Sequence, residues 1–161
     1  MEMNHILIVE DDKDIREGVA IYLKSQGYEV FLAGDGMEGL KILENEDIHL
    51  AIVDIMMPRM DGITMTMKLR EKHDFPVIML SAKSEEVDKV MGLNIGADDY
   101  VTKPFTPMEL MARVNSQMRR YRRFMEKLQA NQEQQSDGIY SLGGLEVNES
   151  TFEVRVDDNP V

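Results

Sequence analysis

The chain of 161 residues has no cysteine, which excludes disulfides, thiolate metal sites and cysteine nucleophiles and fits a reducing compartment. It also lacks any apolar stretch long enough for a membrane span, and no basic-then-apolar leader opens it. A cytoplasmic protein without a membrane partner is therefore expected. Positive charge is scarce: 18 Lys and Arg stand against 30 Asp and Glu, and the net charge of -12 argues against general affinity for phosphate backbones. No internal repeat is apparent. What is present is 43% hydrophobic content, enough for one well-buried core, in a length that leaves little room for a second complete domain.

Short apolar runs alternate with helical periodicity. "HILIV" at 5 to 9 is followed by Ile15, Val19 and Leu23 at four-residue spacing, with Gly27 as a helix stop. The alternation repeats as "YEVFLA", a helix through Leu40 and Leu43, "LAIV", a helix from about Asp61, and "VIML". A helix over Val87 to Ile95, "YVTK" and a last helix from Pro107 complete the pattern. Strands buried on both faces and joined by crossover helices predict an α/β fold with a doubly wound, parallel sheet of about five strands, whose function gathers at the strand C-termini.

Past Arg123 the apolar periodicity is lost in "EKLQANQEQQSDG", the composition of a linker or a fraying helix end. The remainder alternates apolar and polar residues around Gly-Gly and Asn-Glu-Ser turn signals, as a small antiparallel meander would, and is too short to be stable alone. The organisation expected is a domain over 1–123, a linker over 124–137 and a β fragment over 138–161.

Adjacent strands "HILIV" and "LAIV" would bring Glu10, Asp11 and Asp12 close to Asp54. Converging carboxylates repel one another and call for a divalent cation, and oxygen-only ligands suit Mg²⁺, which keeps waters for a phosphoryl group. Asp12 can equally cap the helix that starts near Lys13. Ser81 and Lys103 fall at later strand ends and face the same crevice, where a hydroxyl and an ammonium complete a pocket for a phosphoryl group. Taken singly, Ser81 also fits a helix N-cap and Lys103 a surface ion pair.

The segments "ILIVEDD", "VDIMMPRMDG", "VIMLSAK" and "GADDYVTKPFTP" resemble the motif set of bacterial response-regulator receiver domains over residues 5 to about 123. The run "GADDYVTKPFTPMELMARVNSQMRRY" is similar more narrowly to the OmpR/PhoB group of transcriptional regulators, nearest to its VanR-like members. The resemblance implies the strand order 2-1-3-4-5 and makes Asp54 the acceptor of a phosphoryl group from a sensor histidine kinase. Glu10, Asp11, Asp54 and the backbone carbonyl of Met56 would hold Mg²⁺. Pro58 and Gly62 would shape the loop after the acceptor, and the Lys103–Pro104 peptide would be cis. Ser81 and Tyr100 would form the switch, although Tyr100 is also an ordinary strand residue. Such a protein is a switch rather than an enzyme with turnover.

The resemblance further implies a phosphorylation-dependent homodimer through the fourth helix, fifth strand and fifth helix, with Lys89, Asp98, Asp99, Glu109, Arg113 and Arg120 in intersubunit ion pairs; a solvated charged surface is the alternative. Residues 138–161 resemble the opening strands of a winged-helix effector domain whose recognition helix would come later. Residues 131–161 hold seven acids and one base, Arg155, so contact with promoter DNA would fall to the rest of a full-length protein. A receiver acting through protein contacts alone is the alternative. The basic "RRYRRF" at 119 to 124 lacks aromatic platforms and a reading helix and suits a dimer or linker role better than nucleic acid.

Two enzyme readings compete. "GDGMEG" at 34 to 39 satisfies the dinucleotide-binding spacing, yet it follows the second strand, and Asp35 puts negative charge where a pyrophosphate needs positive potential. Phosphatases of the haloacid-dehalogenase type carry a second aspartate two residues past the acceptor, where this chain has Met56. The 14 methionines read as core filling, and His5, His49 and His73 share no ligand spacing.

Overall fold

The computed structural model describes residues 3–82 and 96–142, with the side chains of the last helix described to residue 131. The apolar runs form β1 (His5–Val9), β2 (Glu29–Ala33), β3 (Leu50–Asp54), β4 (Val77–Ala82) and β5 (Asp99–Lys103). All neighbouring pairs are parallel, in the order β2-β1-β3-β4-β5 that the family resemblance implies. Every residue of β3 is buried, whereas β2, at the sheet edge, exposes Glu29 and Leu32. That contrast explains why "LAIV" is uniformly apolar and "YEVFLA" is not.

Four described helices cross between or follow the strands: α1 (Lys13–Ser25), α2 (Gly36–Asn45), α3 (Gly62–Leu69) and α4 (Pro107–Leu142). The helix expected over Val87 to Ile95 lies outside the described residues. Side chains alternate across the sheet with period two. Ile6, Ile8, Leu50, Ile52, Ile78 and Leu80 pack with Val19 and Leu23 of α1 and with Leu110, Val114 and Met118 of α4 in one core. Asp54 and Lys103 have the same parity as Ile52 and Val101 of that core, so the pleat directs both side chains to one side of the sheet at its C-terminal edge.

Helix boundaries follow local chemistry. Asp12 caps α1, its Oδ1 accepting from the amides of Asp14 at 2.9 Å and Ile15 at 3.2 Å. Gly27 ends that segment at φ +92°, a conformation glycine adopts without a Cβ penalty. Thr106 Oγ1 accepts from the Glu109 amide at 3.0 Å ahead of α4, and Pro107 occupies the first helical position.

Residues Met1–Arg120 form one compact unit and Tyr121–Val161 a second. Helix α4 includes residues 124–137, where Met, Glu, Lys, Leu, Gln and Ala are good helix formers. Of the expected β fragment, only 138–142 are described, closing α4, and the rest lies outside the described residues. Among the described residues no helix is long and apolar enough to cross a membrane.

The glycines of "GDGMEG" serve packing. Asp35 caps α2, its Oδ1 accepting from the Glu38 amide at 2.8 Å, while Glu38 Oε1 accepts from the Gly34 amide at 2.6 Å. The Glu38 amide and, next, the Arg59 guanidinium at 3.0 Å hold the Asp35 carboxyl below its ordinary pKa, so a negative charge occupies the helix start. A Cβ at Gly39 would lie 2.7 Å from Met65 Cε and 2.9 Å from Val9 Cγ2. Gly39→Ala is therefore expected to destabilise the domain by about 1–2 kcal/mol through overpacking, read as a lower urea midpoint with an unchanged slope.

Candidate functional site

The C-terminal ends of β1, β3 and β5 deliver Glu10, Asp54 and Lys103 to one place. Lys103 Nζ lies 3.0 Å from Glu10 Oε1 and 3.2 Å from Asp54 Oδ1. Glu10 is fully buried and Asp54 nearly so, whereas Lys103 is 26% exposed. Asp11, exposed at the rim, joins them: one carboxylate oxygen each from Glu10, Asp11 and Asp54 lies within 4.8 Å of the others.

Three local devices set this arrangement. Glu10 Oε2 accepts from the Asp12 amide at 3.1 Å, and Arg16 Nη1 donates to the Glu10 carbonyl at 2.7 Å, so the turn after β1 is held at both ends of that residue. Behind Asp54, Gly62 starts α3 against the strand: its amide donates to Ile55 O at 2.8 Å, and an added Cβ would collide with the Asp54 carbonyl oxygen. Only glycine permits that approach. The Lys103–Pro104 peptide is cis, as the sequence resemblance implies.

Burial, then the hydrogen-bonded and negative Glu10, push the Asp54 carboxyl up to about 7 against the pull of Lys103. Burial acts to lower Lys103, but Glu10 and Asp54 outweigh it and hold the ammonium above its ordinary value. A site that makes one of its carboxylates hard to ionise, with oxygen donors gathered on one side, fits a hard divalent cation.

Ser81, at the end of β4, is fully buried, and among the described residues its hydroxyl has no hydrogen-bond partner. It pairs in register with Thr102, and the next pair is Ala82 with Lys103, so Ser81 and Lys103 end neighbouring strands one position apart. Tyr100 lies opposite Met79 on β5 with its hydroxyl buried. Met56 follows β3 and is 60% exposed, so no carboxylate stands two residues past Asp54.

Comparison with known proteins bears on family and fold. The model of the response regulator receiver domain family matches residues 6–115. The chain belongs to the response regulator receiver family. It is 44% identical over 153 residues to the regulatory protein VanR of Enterococcus faecium, covering 95% of this chain and 64% of that protein. To the regulatory protein VanRc of Enterococcus gallinarum it is 46% identical over 119 residues, covering 74% and 52%. The chain thus spans about half to two-thirds of the length of these curated relatives. A CheY-like receiver domain protein from Methanospirillum hungatei superposes with a TM-score of 0.72 at 32% identity, over 76% of this chain and 98% of that one. Fold and sequence together make this a VanR-like response regulator with a CheY-like receiver fold.

The receiver's expected interface residues are distributed differently from its crevice. Asp99 Oδ1 accepts from Arg113 Nη1 at 2.7 Å within the chain, and Asp98 Oδ2 accepts from Arg70 Nη2 at 2.8 Å. Glu109 and Arg120 are exposed on α4, and Lys89 lies outside the described residues. Sequence reasoning missed Arg16, Arg59 and Arg70. Arg16 and Arg70 act largely through backbone carbonyls, which carry no residue identity to read. It also missed that His5 and His49 meet at the far end of the sheet, where the His5 amide donates to His49 Nδ1 at 3.1 Å.

Proposed function

We propose that the receiver accepts a phosphoryl group on Asp54 from a phosphohistidine of a sensor histidine kinase and passes the signal on as a conformational switch. The observation that carries this reading is the contact of one ammonium, Lys103, with two buried carboxylates at the ends of three strands. An Asp54 oxygen forms the new bond to phosphorus while the P–N bond breaks and the imidazole leaves with the bonding pair. Glu10, Asp11, Asp54 and the Met56 carbonyl would hold Mg²⁺, which when bound would supply positive charge that favours the ionised form of Asp54. Lys103 turns from the carboxylates to a phosphoryl oxygen, and the Ser81 hydroxyl donates to another. The loop following Ser81 moves inward and Tyr100 follows it.

The arriving charge biases a two-state equilibrium, and the active state pairs two copies through the face that carries Asp98, Asp99, Glu109, Arg113 and Arg120. In the full-length protein a winged-helix domain beyond this chain binds promoter DNA and regulates transcription in the cytoplasm. The names of the VanR relatives and the family match support that assignment. Met56, in place of a second aspartate, favours a long-lived acyl phosphate over enzymatic turnover.

Incubation with acetyl phosphate and Mg²⁺ is expected to add the mass of one phosphoryl group to the intact chain. Asp54→Asn should add none, and magnesium chelation should prevent labelling of the wild type. Labelling that survives Asp54→Asn would place the acceptor elsewhere.

A further inference from the structure

Arg70, the residue after α3, has its whole guanidinium engaged. Nε and Nη2 donate to Gly96 O at 3.0 and 2.7 Å, and Nη1 donates to His73 O at 3.2 Å and Phe75 O at 2.7 Å. Nη2 also donates to Asp98 Oδ2 at 2.8 Å, the oxygen that accepts from the Val77 amide at 2.8 Å. The backbone is shaped to this side chain: Gly96 has φ +117°, and a Cβ there would lie 2.9 Å from Arg70 Nε. One guanidinium thus joins the end of α3, the approach to β4 and the approach to β5.

Nothing in the crevice chemistry uses this construction, and its one ionic partner among the described residues belongs to the proposed subunit face. The Asp98 side chain is 41% exposed although Oδ2 is held by two donors. Burial pushes its carboxyl up, and the Val77 amide and Arg70 push it back towards the ionised form, with a weaker pull from Arg120. Asp99 and Arg113 already satisfy each other within the chain. Arg120, exposed on α4, is a cation of this face that can reach a second copy, and a two-fold axis that brings Asp98 to Arg120 once brings them together twice.

We propose that Arg70 is a positioning residue for a subunit interface, fixing the Asp98 carboxylate so that its exposed side receives Arg120 of a second copy of this chain. The inference rests on the dimerisation read under the proposed function. It differs from a scaffold role because Arg70 acts through one named carboxylate.

The test is sedimentation of the 161-residue chain, activated with beryllium fluoride and Mg²⁺, as wild type, Arg70→Met, Asp98→Asn and the double variant. Wild type is expected to self-associate, and Arg70→Met to weaken association roughly tenfold or more, a loss of about 1.4 kcal/mol. Its labelling by acetyl phosphate should stay within about twofold of wild type, since Arg70 touches none of the crevice residues. The double variant should associate no more weakly than Asp98→Asn alone. Where Arg70→Met does not fold, Arg70→Lys keeps a charge but loses the fork, and it is expected to show the same non-additivity with Asp98→Asn. Wild-type association by the Arg70 variant, or losses that sum in the double variant, overturns the proposal. A wild type that is labelled on Asp54 but stays monomeric overturns the dimer reading itself, and the two failures are distinguishable.

Discussion

Replacing Lys103 with methionine is expected to destabilise the domain by about 3 kcal/mol in magnesium-free buffer, and by much less once Mg²⁺ saturates the site. The ammonium is the cation that Glu10 Oε1 and Asp54 Oδ1 share, at 3.0 and 3.2 Å. Methionine keeps the length of the side chain and removes the charge, leaving two buried carboxylates face to face. Partial protonation of Asp54 relieves some of that repulsion, so the cost stays short of a fully uncompensated ion. A bound divalent cation substitutes for the lost charge. Mg²⁺ should therefore raise the urea midpoint of Lys103→Met by more than it raises that of wild type. An equal response to Mg²⁺ would mean that Lys103 does not balance the carboxylates. Acetyl phosphate labelling should also slow by roughly a hundredfold, because the lost ammonium is the donor aimed at developing phosphoryl charge.

The second large effect is on pH dependence. Asp54 is raised to about 7 in the folded chain, first by burial and then by Glu10, against an ordinary value of 3.8. Between those values the folded state binds the proton more tightly than the unfolded state. The stability that Asp54 contributes is therefore fully present below 3.8 and is lost as pH rises through about 7. Asp54→Asn removes this titration and keeps a side chain of the same shape. In chelator, the variant is expected to gain on wild type by on the order of 2 kcal/mol between pH 5 and pH 8, read as the difference in unfolding free energy across pH. Parallel pH profiles for the two proteins would contradict the raised carboxyl. Mg²⁺ competes with the same proton, so its affinity for wild type should fall as pH drops below about 7.

Much of the crevice was legible because its residues sit where strands end. A run such as "LAIVD" announces both a buried strand and the place where the chain leaves it, and the parallel order puts those exits side by side. Local competition was harder to read. Of three consecutive acids, Glu10 turns inward to Lys103, Asp11 stays at the rim, and Asp12 gives its carboxylate to the amides of α1. Sequence offered both roles for Asp12 and could not decide, because capping and metal binding ask for the same side chain. "GDGMEG" misled in a similar way, since a glycine that admits Met65 and Val9 looks in one dimension like a glycine that admits a phosphate. Arg70 left no signal at all. Apart from Asp98, its partners are carbonyls at 73, 75 and 96, and a carbonyl has no identity in a sequence.

The side chain of Ser81 gives the resting receiver a built-in readiness. Its hydroxyl is sealed from solvent and, among the described residues, matched to no acceptor, and a buried donor in that condition costs about 1–3 kcal/mol. Any acceptor oxygen brought within its reach recovers that energy without the fold having to form a new element. If the receiver switches as proposed, part of the drive out of its quiet state would reside in the unmodified polypeptide, as an incomplete polar contact at the end of a rigid strand.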